Sequence, residues 1–285
     1  LLQMLAFLEP FDVAAMGPAS FWSVHFVSEA GRLAFADRGA FIADPAFVPR
    51  PDGLLDPDYL AARGALISPR STLGRASPGD PADRAPERRR RATAAADALE
   101  LPSTSHLSVV DADGNAVAMT TSIEDAFGSR QMTAGGFLLN NQMTDFSFVP
   151  EIDGRPVANR VQPGKRPRSS MAPTIVYDRA GRVFMVAGST LGAHIINIVA
   201  KTLLGVVDWG LDPQAAAALP NFGSTNGPTT LERGTPVAGL APKLEALGHA
   251  VQVFDLASGT HLIVRTPRGW AGGADPRREG TVSGE

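Results

Sequence analysis

PSTSHLSVVDADGNAVAMTTS, residues 102–122, decides how the chain is read. After Pro102, runs rich in β-forming residues extend from Ser105 to Asp111 and from Asn115 to Ser122, with Ala112-Asp113-Gly114 between them. Such runs predict strands, and Asp-Gly predicts the tight turn of a hairpin. Thr104 stands where a loose polar stretch gives way to the first strand. A threonine hydroxyl within a chain is a poor nucleophile. If the Ser103–Thr104 peptide bond is cut, the same residue gains an α-amine as its own general base. That amine titrates near pH ~8 in model compounds, so much of it is unprotonated around neutrality. Strand propensity alone also places a threonine there, so the nucleophile reading depends on the rest of the chain.

A second hairpin is predicted from Thr174–Tyr177 and Val183–Ala187, joined by Asp178-Arg179-Ala180-Gly181-Arg182. Gly188-Ser189-Thr190-Leu191-Gly192 then leads into a helix from His194 to Val207 whose apolar residues nearly encircle it, which predicts burial. Short helices are expected from Asp212-Pro213 to Ala218 and over Pro242–Leu247, and strands over Val251–Phe254 and His261–Val264. On the N-terminal side, residues 1–66 read as helical: the Leu1–Leu8 run, Ala19 to Phe41, and Pro57 to Leu66 behind an Asp56 cap. Between Ser68 and Ser103 the composition turns to Pro, Ser, Asp, Ala and Arg without a period, which predicts an exposed, mobile connector where cleavage is feasible. The expected class is α+β, with a helical part over residues 1–103, including the linker 68–103, and a strand-rich part over 104–285.

At 285 residues and 44% hydrophobic composition, the chain can bury a substantial core. A net charge of -3 points to neither nucleic acid nor an anionic membrane. The basic run Arg88 to Arg91 follows Asp83 and Glu87 and has no interleaved aromatics, so a solvated linker fits it better than a phosphate site. Cysteine is absent, which excludes disulfide and thiolate chemistry. The apolar opening Leu1–Leu8 is too short to span a bilayer and lacks signal-peptide flanks. A helix that opens at residue 1 without a methionine leads us to expect a longer parent chain, with any targeting segment upstream. The compartment is therefore left open between periplasmic or secreted and cytoplasmic.

Three polar clusters flank the predicted strands: Thr120 to Asp125, Asn140 to Asp145, and Ser169-Ser170-Met171-Ala172-Pro173 after Lys165-Arg166-Pro167-Arg168. Each alone fits turn and capping chemistry. With Thr104 they make a coherent set. Leu191 and Gly192, before a helix, offer backbone N–H donors for an oxyanion. Glu124 and Asp145 suit an ammonium and Ser169 and Ser170 a carboxylate, as an amino-acid-like ligand requires. None of the five histidines is spaced three or four residues from another, so no metal site is expected. His106 is expected to face the same side of its strand as Thr104, in a hydrogen-bonding or tuning role. No glycine-rich nucleotide loop is present.

The stretches TSHLSVVDADGNAVAMTTSIEDAFGS, GGFLLNNQMTDFSF, GKRPRSSMAPTIVYD and GGADPRR make the chain resemble the gamma-glutamyltranspeptidase family, in that family's order and over essentially the whole length. The resemblance implies an αββα sandwich of the N-terminal-nucleophile hydrolase type, here partial, made as a precursor and split into large and small subunits. It implies a cut between Ser103 and Thr104, and a γ-glutamyl group taken from glutathione or a related amide and passed to water or an amine. By position, Thr104 matches the nucleophile and Ser122 a threonine that hydrogen-bonds it. Glu124 stands where an asparagine contacts substrate, Gln142 and Asp145 match the α-amino-binding pair, Ser169 and Ser170 the α-carboxylate-binding serines, and Leu191 with Gly192 the Gly-Gly oxyanion hole. Glu124 and Leu191 depart from the pattern. So does the absence of the N-terminal part of the large subunit, with the arginine that pairs with the substrate carboxylate. A glutaryl or other acyl-amide acylase, or a catalytically silent relative, are the alternatives. No organic or metal cofactor is implied.

Overall fold

The computed structural model of the chain describes residues 1–81 and 103–284; the Arg88–Arg91 run lies outside them. Four helices open the chain: α1 (Leu2–Leu8), α2 (Val13–Met16), α3 (Phe21–Phe41) and α4 (Pro57–Gly64). Capping sets three of their starts. Asp12 and Ser20 accept the N–H groups of Ala15 and Ser23, and Asp56 accepts those of Asp58 and Tyr59 at 3.0 and 3.2 Å, as its place before Pro57 predicts. α3 is buried on nearly every side and carries Ser23, His25, Glu29, Arg32 and Asp37 into the interior. Each buried charge is paired: Glu29 with Arg32 at 2.9 Å, and Asp37 with Arg63 at 3.2 Å.

Residues 68–81, assigned from sequence to the mobile connector, lie pinned along α3. Thr72 Oγ1 and the Leu73 N–H donate to the Glu29 carboxylate, Arg32 donates to the Gly74 carbonyl, and the Gly79 N–H donates to Asp37 at 2.8 Å. The composition of a loop shows in its sequence, but the buried carboxylates that fix it belong to another element. The rest of the expected connector, residues 82–102, lies outside the described residues.

The strands form separate sheets. β1 (Ser103–Val110) and β2 (Ala116–Glu124) pair antiparallel as the predicted hairpin, with His106 opposite Thr120 and Leu107 opposite Met119. β3 (Glu151–Ile152) and β4 (Arg155–Pro156) make a short ribbon. β5 (Thr174–Tyr177) and β6 (Val183–Gly188) are the second predicted hairpin, extended by β10 (His261–Thr266) and β11 (Gly269–Ala274) to the antiparallel order β11-β10-β6-β5. β7 (Phe222–Gly223), β8 (Thr229–Glu232) and β9 (Val251–Phe254) form a third sheet in which β8 and β9 run parallel, a pairing outside the expected antiparallel set. Helices α5 (Ile195–Val207), α6 (Pro213–Ala218) and α7 (Ala241–Ala246) are the remaining α-helices among the described residues.

The layers follow from the burial pattern. Thr104, His106 and Ser108 of β1 face β6 and β10, where the His106 ring lies so close over Gly188 that a Cβ there would meet it at 2.2 Å. The other side of the four-stranded sheet packs Met185, Ala187, Leu262 and Val264 against Ile195, Val199 and Leu203 of α5 and Ala216 of α6. Beyond α5, a second core joins α1 and α3 to Ile196, Ala200, Leu204, Phe222 and Leu231. Sheet, sheet and helices are thus three layers of an α+β sandwich. The outer face of the β1–β2 hairpin, with Leu107, Val109, Val117 and Met119 at 39–50% exposure, carries no further layer among the described residues.

Candidate active site

Thr104 is buried at the end of β1 and its hydroxyl donates to Ser122 Oγ at 3.2 Å. Ser122 in turn donates to the Ser103 carbonyl at 3.0 Å and accepts the Glu124 N–H at 2.9 Å. A serine hydroxyl has one hydrogen and two lone pairs, so these three contacts fill it and fix its direction. The Ser122 hydrogen therefore points at the carbonyl oxygen of the Ser103–Thr104 bond, while the Thr104 hydroxyl donates to one lone pair of the same Ser122 oxygen. A bulge sets this up: Ser103 pairs with Glu124 and Thr104 with Ser122, leaving Ile123 unmatched, and Glu124 takes φ +77°.

A shallow pocket of about 300 Å³, part of it open solvent, lies in front of Thr104. Ser122, Glu124, Gln142, Asp145, Ser169, Ser170 and Gly192 line it, so eight of the residues singled out from sequence, Thr104 included, meet at one place. Leu191 is not on the lining; it precedes Gly192 with φ +105°, and Gly192 follows at +52°. Met171 and Ile195 also line it, and neither was given a site role from sequence.

Other side chains hold the lining together. Asn141 Nδ2 donates to the Glu124 carboxylate, and Gln142 Nε2 to the Ser122 carbonyl at 3.3 Å. Asn159, fully buried, donates to the Asp145 carbonyl at 2.7 Å and accepts the Arg168 N–H at 2.9 Å, which ties the 142–145 turn to the serine loop. Arg38 of α3 donates to Ser170 Oγ at 2.6 Å. Arg278, in the terminal GGADPRR stretch, donates to the Thr104 carbonyl at 3.4 Å. Asn141 stood inside a quoted stretch, but Arg38 and Asn159 carried no sequence signal, because their partners lie 9, 14 and 132 residues away on other elements.

His106 takes the hydrogen-bonding role. Its ring nitrogens meet Thr120 Oγ1 at 2.8 Å and Ser108 Oγ at 3.1 Å, and burial, with His261 nearby, pushes its pKa down to about 4, so it is neutral near pH 7. A cluster that histidine spacing did not reveal is His25, Glu29 and His249, whose ligand-type atoms lie within 4.8 Å of one another. A chain of hydrogen bonds accounts for it. The Thr229 hydroxyl accepts from Arg32 and meets His249 Nδ1 at 2.7 Å, His249 Nε2 meets His25 Nδ1 at 2.8 Å, and His25 Nε2 donates to the Ser68 carbonyl at 2.8 Å. With Thr229 and His249 each donating onward, every member is satisfied in a neutral state, and Glu29 is taken by Arg32, Thr72 and Leu73. The cluster reads as the bond between α3 and β9's entry rather than as a metal centre.

The family model described as gamma-glutamyltranspeptidase matches residues 1–285. The glutathione hydrolase proenzyme of Bacillus subtilis (strain 168) is 34% identical over 100% of this chain, which spans 48% of that relative. Among solved structures, gamma-glutamyltranspeptidase from Pseudomonas nitroreducens complexed with L-DON superposes with a TM-score of 0.57 at 32% identity, covering 63% of this chain and 98% of its own. Cephalosporin acylase from Bacillus halodurans superposes at 0.76 with 26% identity, covering 99% of this chain and 49% of its own.

Proposed function

The chain belongs to the gamma-glutamyltranspeptidase family, and from that premise we propose that Thr104 is the nucleophile of a self-processing γ-glutamyl transferase and hydrolase, of which this chain is about half. The observation that carries the proposal is the Ser122 hydroxyl between the Thr104 hydroxyl and the Ser103 carbonyl. In the precursor, Thr104 Oγ1 attacks the Ser103 carbonyl carbon, and Ser122 donates to the oxygen as it gains charge. The C–N bond breaks, the nitrogen takes a proton and becomes the Thr104 α-amine, and water hydrolyses the resulting ester to free the Ser103 carboxylate.

The freed residue then works on substrate. The α-amine takes the proton of Thr104 Oγ1, which attacks the γ-carbonyl; the amine leaves with that proton, and water or an acceptor amine removes the acyl group. Backbone N–H groups of Leu191 and Gly192 receive the oxyanion in this reading. Gln142 and Asp145 hold the substrate ammonium, assisted by Glu124, and Ser169 and Ser170 the α-carboxylate. Residues 1–103 then form part of a large subunit and 104–285 the small one. The supporting fact is that the side chains required line one pocket.

Denaturing electrophoresis of the full-length protein tests the proposal. Two bands are expected, the smaller beginning at Thr104, and Thr104→Ala is expected to stay as one; an uncleaved wild type overturns the reading. The similarity to a cephalosporin acylase, with the departures at Glu124 and Leu191, raises a second substrate class, the acyl amides. Two carboxylates on the lining disfavour a dicarboxylic acyl group such as glutaryl, so γ-glutamyl anilide is expected to be the better donor, and a strong glutaryl preference would reverse the order.

A further inference from the structure

We propose that Arg38 is a positioning residue for the acyl donor: it holds Ser170 so that the serine hydrogen is delivered to the donor's carboxylate. The inference rests on the reading of Ser169 and Ser170 given above. A guanidinium carries donors only, so the 2.6 Å contact from Arg38 Nη2 occupies a lone pair of Ser170 Oγ and leaves its hydrogen unused. Ser170 is buried and borders the pocket, and among the described residues no acceptor takes that hydrogen. An acceptor in the pocket, such as a carboxylate oxygen, completes the set. Ser169 differs: it is exposed, and its hydroxyl accepts the Met171 N–H of its own loop at 3.1 Å.

The loop needs such a hold because residues 163–173 belong to no strand or helix. α3 and the loop exchange arginines across their contact. Arg38 reaches from the last turn of α3 to Ser170, and Arg168 reaches from the loop to the carbonyls of Arg38 and Gly39 at 3.2 and 3.4 Å. Asp44, just past α3, accepts the Arg166 N–H at 2.9 Å, which fixes the loop on its other side. The lining itself holds the carboxylates of Glu124 and Asp145 and no lysine or arginine.

The experiment compares two donors in the full-length protein, L-γ-glutamyl anilide and 4-aminobutyryl anilide, which lacks only the α-carboxylate. The wild type is expected to prefer the first through KM. Arg38→Met, which keeps the stem and removes every donor, is expected to shrink that preference about tenfold with little change in kcat, the worth of one charge-assisted hydrogen bond. Arg38→Lys is expected to restore part of it. In a Ser170→Ala background, Arg38→Met is expected to add little. A preference that survives in whichever Arg38 variant folds, or full additivity with Ser170→Ala, overturns the role of Arg38 alone. A wild type indifferent to the α-carboxylate overturns the serine assignment and this inference with it.

Discussion

Replacing Ser122 by alanine should slow self-cleavage far more than it weakens the fold. The hydroxyl gives its one hydrogen to the Ser103 carbonyl at 3.0 Å and takes those of Thr104 and Glu124 at 3.2 and 2.9 Å. In the ground state the first of these is a neutral hydrogen bond. As Thr104 attacks, the carbonyl oxygen becomes an oxyanion and the same bond becomes charge-assisted, so it acts mainly on the barrier. Loss of one preorganised donor to such an oxygen costs about 3–4 kcal/mol, or roughly 10²–10³ in rate. The orphaned Glu124 N–H adds an equilibrium penalty of about 1–3 kcal/mol, which appears in a thermal melt and not in the cleavage rate. The assay follows conversion of purified precursor over time on denaturing gels, with the new N-terminus read by mass spectrometry. Ser122→Thr, which keeps the hydroxyl, should cleave close to the wild-type rate. Cleavage of Ser122→Ala within a few-fold of wild type would refute the reasoning and place the donor elsewhere.

Other predictions concern the fold around the site. Gly31→Ala in α3 puts a Cβ 2.6 Å from the Ser224 carbonyl, which has little room to yield, so urea denaturation should show a loss of about 1–3 kcal/mol or more. At Leu191, φ +105° disfavours any β-branched side chain; Leu191→Gly should stay within about 1 kcal/mol of wild type in stability, whereas Leu191→Val should lose more than that. Stability should fall as pH drops from about 6.5 towards 4. His106 is held neutral by burial, with its folded pKa pushed down to about 4, so the unfolded chain binds more protons across that window. Burial also lowers the pKa of His249, which adds a term of the same sign, and His106→Gln should flatten part of the decline in urea midpoint.

Much of this architecture is legible in the sequence wherever one segment carries its own signal. The hairpins at 103–124 and 174–188 show in runs of β-forming residues and turn chemistry, and α4 and α6 in Asp-Pro starts whose aspartates do cap them. β11, GWAGGA, did not show, since glycines carry no strand propensity; its place comes from pairing with β10. β7 and β8 were hidden for a related reason, being short and defined by partners distant in sequence. Within the site, residues that point into the pocket stood out as polar clusters. Those that orient them, half-buried Arg38 and buried Asn159, did not, because such a side chain is recognisable only by its partner.

The two parts of the chain share a single interior. Met4, Phe7, Val24, Val27, Ala30 and Leu33, from before the Ser103–Thr104 bond, pack in one core with Ile196, Ala200, Phe222, Leu231 and Leu244 from after it. A cut at that bond leaves the contacts intact but changes the molecularity of folding. The precursor collapses as one chain, at a rate independent of its concentration, whereas the cleaved pair can regain this core only by collision. A pair cut in this way would pass through unimolecular folding once: denatured after the proposed cut, it would face a concentration-dependent return that the uncut chain does not, and its lifetime would be set by how slowly the shared core opens.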